Sequence, residues 1–375
     1  MYHVGGVPFH RVNITDSEKA AVIDVLESGW LTYGNVTIRF EEEFAEKNSV
    51  EYALAVNSCT SALHLAMVAL GIGECDEVIV PTNTFVASAE AVTYVGATPV
   101  FCDILEETHA IDPDKIESLV TDRTAAIMPV HFAGIPCEMD EIVEIARRHD
   151  LKIVCDSAHA YPARYKGESV ANIGDVACFS FYATKTLSTG EGGMATTNDP
   201  ALYEAMKRHR LHGVTKDANE RMSAKNKWEY DVTERGFKYN TTDMASALGR
   251  EQLKIAEINR LKRKSIADRY DEAFTGKIDT LMVPGDRESA YHLYIVKTDE
   301  RMDLISHLDN RGIGTSVHFI PIHRMTWYRD RYGLIASDYP VAESVFERSV
   351  SLPIFPDMTD EEVQAVIDGV LSFVE

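Results

Sequence analysis

The sequence predicts an α/β protein: a large domain on a mainly parallel sheet, followed by a smaller α+β C-terminal domain. Strand-like apolar runs alternate with helical patterns from about residue 15 to about residue 250, and such alternation buries a parallel sheet between helices. A long helical stretch then runs from Thr242 to about Phe274 and leads into a segment with a different rhythm of short strands and helices. The expected division is residues 1–250 for the large domain and 251–375 for the small one, with the first 15 or so residues packing against the small domain.

The predicted strands are YALAV (52–56), EVIVP (77–81), TPVFCD (98–103), AAIMPVH (125–131), KIVCDSA (152–158) and DVACFSF (175–181). Each is short, apolar and bounded by turn residues, as strands buried on both faces are. Helical patterns lie between them, among them SALHLAMVALG (61–71), VASAEAVTYVG (86–96) and MDEIVEIARRHD (139–150). The long stretch from Thr242 opens with Thr and Asp, good N-terminal helix residues. After it come a strand in YHLYIVKT (291–298), a helix in MDLISHLDNRG (302–312), a strand near TSVHFIP and a closing helix from Asp360.

At 375 residues and 45% hydrophobic the chain can bury a large core. Its formal net charge of −22 disfavours nucleic acid and anionic membrane surfaces as partners. No apolar run approaches the roughly 18 residues that span a bilayer, and the first residues lack the basic-then-apolar pattern of a leader, so the cytoplasm is the expected location. The six cysteines (Cys59, Cys75, Cys102, Cys137, Cys155, Cys178) form no C-x-x-C pair and read as buried free thiols.

In a parallel α/β sheet a ligand sits beyond the carboxyl ends of the strands, so the polar residues there are the ones to inspect. Asp156 closes KIVC; a semi-buried carboxylate needs a positive partner, and a protonated pyridine nitrogen would serve, although the same residue could simply cap the next helix. Lys185 stands alone in the Ser/Thr/Gly-rich loop of FSFYATKTLSTGEGG (179–193), where a lysine in neutral, partly dry surroundings can lose its proton and form an imine with an aldehyde cofactor. The spaced glycines of a phosphate-binding P-loop are absent before it. Thr60 and Ser61, in NSCTSALHLAM (57–67), open a helix directly after a strand and suit a phosphate dianion, with Ser180 as a further donor. Phe85, at the strand-to-helix junction of PTNTFVASA (81–89), offers a face to a flat ring.

With those residues named, the sequence strongly resembles the DegT/DnrJ/EryC1/StrS family of pyridoxal-phosphate sugar aminotransferases. The resemblance runs nearly end to end, from VLESGWLTYGNVTIRFEEEFA (25–45) through VPTNTFVASAEAV, MPVHFAGIP, CDSAHA, FSFYATKTLSTGEGGM and GFKYNTTDMASALGREQL to GTSVHFIPIHRMTWYR and SLPIFPDMTDEE. It implies the fold type I architecture of aspartate aminotransferase. It implies Lys185 as the lysine that bonds the cofactor and serves as general base, Asp156 as partner of the pyridine nitrogen, His159 beside the phenolic oxygen, Phe85 packed on the ring, and Thr60, Ser61 and Ser180 on the phosphate. Asn240 falls where a family asparagine reaches the phosphate across a subunit boundary, implying a homodimer with a shared active site, although many members read N-Y-R where this chain has Lys238-Tyr239-Asn240.

The same resemblance implies transfer of an amino group, from L-glutamate as expected donor, to a ketone on a nucleotide-linked sugar, with the cofactor cycling between its aldehyde (PLP) and amine (PMP) forms. Trp30 and Thr32, in SGWLT, and Lys238, His318 and His323 are the expected substrate contacts, with Arg210 or His212 as further candidates for an anionic group. KYN and PVHFAGIP look closer to relatives acting at C4 of UDP-linked ketosugars. Amination at C3 of a dTDP- or UDP-3-ketosugar is the alternative, and a non-catalytic cofactor-binding regulator the remote one. No metal is expected, since nothing beside His318 and His323 completes a ligand set. His131 and His292 read as packing residues.

Overall fold

A computed structural model of the chain describes residues 6–215 and 228–374. Its centre is a seven-stranded sheet of β1 (Tyr52–Val56), β2 (Glu77–Pro81), β3 (Thr98–Cys102), β4 (Thr124–Ile127), β5 (Lys152–Asp156), β8 (Val176–Ser180) and β9 (Gly193–Thr197), in the order β1-β9-β8-β5-β4-β2-β3. The pairs β2/β3, β2/β4, β4/β5 and β5/β8 are parallel; β9 alone runs antiparallel, to both β8 and β1. The strands are buried on both faces. Ile153, Cys155, Ala177 and Phe179 pack into one core with Phe40 and Phe44, while Val154, Val176 and Cys178 pack into the other with Leu54, Val56 and Leu63. That two-residue alternation explains why the strands read as continuous apolar runs.

β6 (Arg164–Tyr165), β7 (Glu168–Ser169) and β11 (Arg287–Glu288) form a small separate ribbon. The C-terminal part of the chain carries a third sheet, β10 (Asp279–Thr280), β12 (Tyr294–Lys297) and β13 (Ser349–Leu352), all antiparallel. Joining the two parts is the helix Asp243–Phe274, 32 residues and about 48 Å long. Thr242 caps it by accepting from Ala245 N–H at 3.2 Å. Its Leu253 and Ala256 sit in the large core, whereas Ile266, Ala267, Tyr270 and Phe274 sit in the core of the C-terminal part. Val7 joins that second core and bridges to Ile313.

Several strands differ from the expectation, the two-residue β6, β7, β10 and β11 being too short to show a pattern. The segment around TSVHFIP is no strand; Ser316 makes one bridge to Ser351 and the backbone then leaves the sheet. The strand in that place is β13, whose residues SVSL carry too few apolar side chains to stand out. Likewise β9, GMATT, was not anticipated, because small residues and threonines after a glycine pair read as loop. All six cysteines are free and only Cys75 is exposed. Among the described residues no helix is long and apolar enough to cross a membrane.

Candidate active site

The topology sets the carboxyl ends of β1, β2, β5 and β8 along one edge of the sheet, since β1 and β8 both run opposite to β9. A cavity of about 520 Å³ opens there, lined among others by Ser58, Thr60, Phe85, Asp156, His159, Ser180, Lys185, His292 and His318. Residues far apart in sequence therefore meet at one place because each ends or follows a strand of one sheet.

At the floor lies Asp156, buried and without an ion-pair partner among the described residues. Ser88 Oγ donates to Oδ2 at 2.7 Å and Ala158 N–H to Oδ1 at 3.0 Å. Burial pushes this carboxyl above its usual range, and the two donors offset only part of that. Thr84 Oγ1 lies 2.7 Å from Ser88 Oγ, so a short chain of buried hydroxyls stands behind the carboxylate. Lys185 lines the same cavity from the loop after β8. Burial lowers its ammonium to about 8 against the pull of Asp156, so the free amine is reached at mildly basic pH, well below the range of an ordinary lysine.

The helix Cys59–Ala69 points its N-terminus at the cavity, with Ser58 as N-cap accepting from Ser61 N–H. Ser58, Cys59 and Thr60 line the space. Ser61, expected on a phosphate, is not among the lining residues, and its hydroxyl donates to Asn57 Oδ1 at 2.6 Å. The helix can come this close to β9 because Gly193 has no side chain; a Cβ there would stand 2.6 Å from the Ser58 carbonyl carbon. Phe85 is 56% exposed and lines the opening, a free aromatic face beside Phe319 at 5.6 Å.

Histidines surround the lysine. His159 Nδ1 accepts from Ala133 N–H at 3.3 Å, which puts the ring proton on Nε2. His318 shares a hydrogen bond with Ser351 and stacks on Phe9. Burial lowers both, His318 to about 4. His292, expected as a packing residue, lines the cavity, packs on His159 at 4.4 Å and leaves Nδ1 without a partner. Sequence reasoning also missed Ser58, Ser88, Tyr182 and Glu191, the first being legible in hindsight as the cap of the NSCTS run.

Other expected contacts lie elsewhere. His323 is buried away from the cavity, bonded to Thr82 Oγ1 at 2.7 Å and Glu343 Oε1 at 2.6 Å, so neither ring nitrogen is free for a substrate. Arg210 is buried too, donating to Glu41 at 2.6 Å and to Ala55 O at 2.9 Å; it ties a helix to β1 and is no surface anion site. His212 and Lys238 do not line the cavity. Trp30 donates to Tyr33 O at 3.1 Å, and Thr32 O accepts from Asp243 N–H. Asn240 lines a separate cavity of about 160 Å³ with Tyr33 and Arg210, and its Oδ1 is buried without a partner.

The arrangement fits pyridoxal phosphate. A buried carboxylate lacking a cation, a lysine with a lowered pKa, a helix N-terminus ringed by hydroxyls and an exposed aromatic ring all face one space, which is what a charged pyridine, an aldehyde and a phosphate on one flat ring require.

Residues 12–371 match the DegT/DnrJ/EryC1/StrS aminotransferase family. The chain is 44% identical to the spore coat polysaccharide biosynthesis protein SpsC of Bacillus subtilis, covering 98% of this chain and 97% of that one. It is 37% identical to the GDP-perosamine synthase of Escherichia coli O157:H7, covering 98% of each. A putative sugar aminotransferase of Streptococcus pneumoniae, Spr1654, solved in a PMP form, superposes with a TM-score of 0.92 at 36% identity over 97% of this chain and 98% of that chain.

Proposed function

Because the chain belongs to the DegT/DnrJ/EryC1/StrS aminotransferase family, we propose that this sugar aminotransferase uses pyridoxal phosphate to move an amino group from L-glutamate to C4 of a UDP-linked 4-ketosugar. The observation that carries the chemistry is Lys185 and Asp156 facing one cavity with their ionisations displaced in opposite directions, the lysine toward its free amine and the carboxyl toward its acid.

When bound, pyridoxal phosphate supplies an aldehyde that carries the amino group between two substrates and a ring that draws electrons from the reacting carbon. Asp156 holds the ring nitrogen protonated, and that cation supplies the partner the buried carboxylate lacks. Ser58, Thr60 and Ser180 donate to the phosphate, with the N-terminal N–H groups of the helix Cys59–Ala69. Phe85 covers one face of the ring and His159 Nε2–H donates to the phenolic oxygen. Lys185 Nζ would take the proton from the substrate carbon and return it to the carbon on the far side of the linking nitrogen, which a free amine can do and a guanidinium cannot.

Among the described residues Lys185 is the one lysine or arginine lining the cavity, and Glu191 adds an acid. A diphosphate and the carboxylates of glutamate need more positive charge than this wall provides. We therefore place Trp30, Thr32, Lys238 and Asn240, all outside this chain's cavity, at the active site of a second subunit. KYN (238–240) and PVHFAGIP (129–136) support the C4 reading. Purified enzyme given L-glutamate with UDP-4-ketosugars or with dTDP- or UDP-3-ketosugars, read by product mass, tests it: amination of only the 3-keto compounds would move the reaction to C3, and amination of neither would sink the sugar assignment.

A further inference from the structure

Next to the 520 Å³ cavity, and sharing His10 and Lys185 with it, lies a second cavity of about 20 Å³. Lys185 lines both. The helix Asp243–Phe274 presents Gln252, Asn259 and Arg263 to it, residues spaced seven and four apart and so on one helical face. Opposite stand the loop residues Ala183, Thr186 and Ser188 and the segment His10–Asn13. The space suffices for one water-sized occupant, about 10–15 Å³ being the threshold.

Among the described residues no carboxylate lines this cavity, the nearest contact of that kind being Glu18, which accepts from Gln252 Nε2 at 2.5 Å. Arg263 is 2% exposed, and its hydrogen bonds go to backbone oxygens alone, Nη1 to Ile354 O at 2.6 Å and to Tyr291 O at 3.4 Å. Its Nε is buried without a partner. The nearest acid acting on it, Asp357, pairs instead with Lys262 at 3.7 Å. Burial lowers the guanidinium only to about 10, so it stays charged at neutral pH and cannot escape its unpaired state by losing a proton. Asn259 is 7% exposed and its side chain makes no hydrogen bond to a described residue. Arg11, the second arginine of the lining, is already held by Glu362 at 2.6 Å.

We propose that this cavity is a binding site for a small inorganic anion of halide size, held by Arg263 and Asn259 beside the active lysine. Water would satisfy the free donors but leave the buried charge uncompensated, whereas an anion does both. The chain carries a formal net charge of −22, so a pocket lined by cations without an acid is a local exception in an otherwise repulsive field. An anion there also acts on Lys185, since a neighbouring negative charge favours the ammonium form.

The test is independent of the sugar reading because it requires no turnover. Holoenzyme crystals grown without halide are soaked in sodium bromide and anomalous differences are measured at the bromine edge. A peak between Arg263 and Asn259 is expected. In solution, chloride should raise the thermal midpoint by a few degrees over gluconate at equal ionic strength. Arg263→Gln can fail to fold, so Asn259→Leu, which fills the cavity with hydrocarbon, is the second variant; it should abolish both the peak and the halide shift. Density without anomalous signal at this position, or a halide shift equal in Asn259→Leu and the parent protein, would overturn the site.

Discussion

Ser88 Oγ donates a 2.7 Å hydrogen bond to Asp156 Oδ2 from a position with no exposed surface of its own. The carboxylate proposed to hold a positive ring nitrogen thus depends on a hydroxyl that is not among the cavity's lining residues. Ser88→Ala removes one of two donors to a buried acceptor, which costs about 1–3 kcal/mol. Burial already pushes Asp156 up, and losing Ser88 pushes it further toward its neutral acid, which no longer attracts a cation. Weaker retention of pyridoxal phosphate is expected, read by titrating the apoprotein and following absorbance. Equal affinity in variant and parent would remove Ser88 from this role.

Lys185 gives a pH signature. Its ammonium is lowered to about 8 by burial, so the rate at which apoprotein takes up pyridoxal phosphate should climb through pH ~8 rather than near the ~10.4 of a free lysine. Lys185→Ala should lose transamination, and Lys185→Arg should fail almost as badly because guanidinium keeps its proton. Stopped-flow uptake against pH, beside turnover of the two variants, checks both statements; a midpoint near that of free lysine would count against a desolvated amine.

Acid should destabilise the protein through its buried histidines. His10, His64 and His318 are lowered to about 4, and His109 and His131 to about 3, in each case chiefly by burial. A depressed histidine binds fewer protons folded than unfolded between its folded pKa and about 6.5, so stability rises with pH across that window and is lost as pH falls through it. Asp156, Glu41 and Asp271, all shifted upward by burial, act in the opposite sense, but these five histidines outnumber the three carboxyls. Urea midpoints measured from pH 7 down to pH 4 should fall steadily. A flat profile would mean that these rings are hydrated in solution.

Arg210 shows why a motif can mislead. In RLHG it reads as a free cation, yet the fold buries it against Glu41 and stacks it 4.4 Å over Tyr33. Glu41→Gln leaves that guanidinium buried without a counter-charge, a loss of about 3–5 kcal/mol. Denaturant unfolding at neutral pH should report it, and an unchanged midpoint would mean that the pair is hydrated in solution.

Much of the fold was legible because both faces of the sheet are buried, so six strands announced themselves as apolar runs. β9 (GMATT) and β13 (SVSL) did not, because a short strand in which small or hydroxylated residues hold most or half of the positions owes its place to neighbours rather than to its own composition. At the site, Lys185, Asp156, Thr60, Phe85 and Ser180 could be found because each follows a strand whose end could be located. His292 and His323 exchanged expected roles. Both stand in aromatic surroundings of the C-terminal part, and only tertiary contacts decide which ring faces a cavity and which is held between Thr82 and Glu343. Arg263 gave no signal at all, lying in a helix where RLKRK looks like a solvated basic face.

The shared site yields the sharpest test. Asn240 and Lys238 stand outside the cavity that holds Lys185, so in a symmetric dimer they would serve the neighbour's site. Lys185→Ala and Asn240→Ala should each be inactive or nearly so as pure dimers. Unfolded together in equal amounts and refolded, half of the dimers are mixed, and in each of those one site carries both defects while the other carries none. Activity should then recover to about a quarter of the parent. If both residues served the same subunit's site, each mixed dimer would hold one Lys185-defective site and one Asn240-defective site, and refolding together would recover nothing.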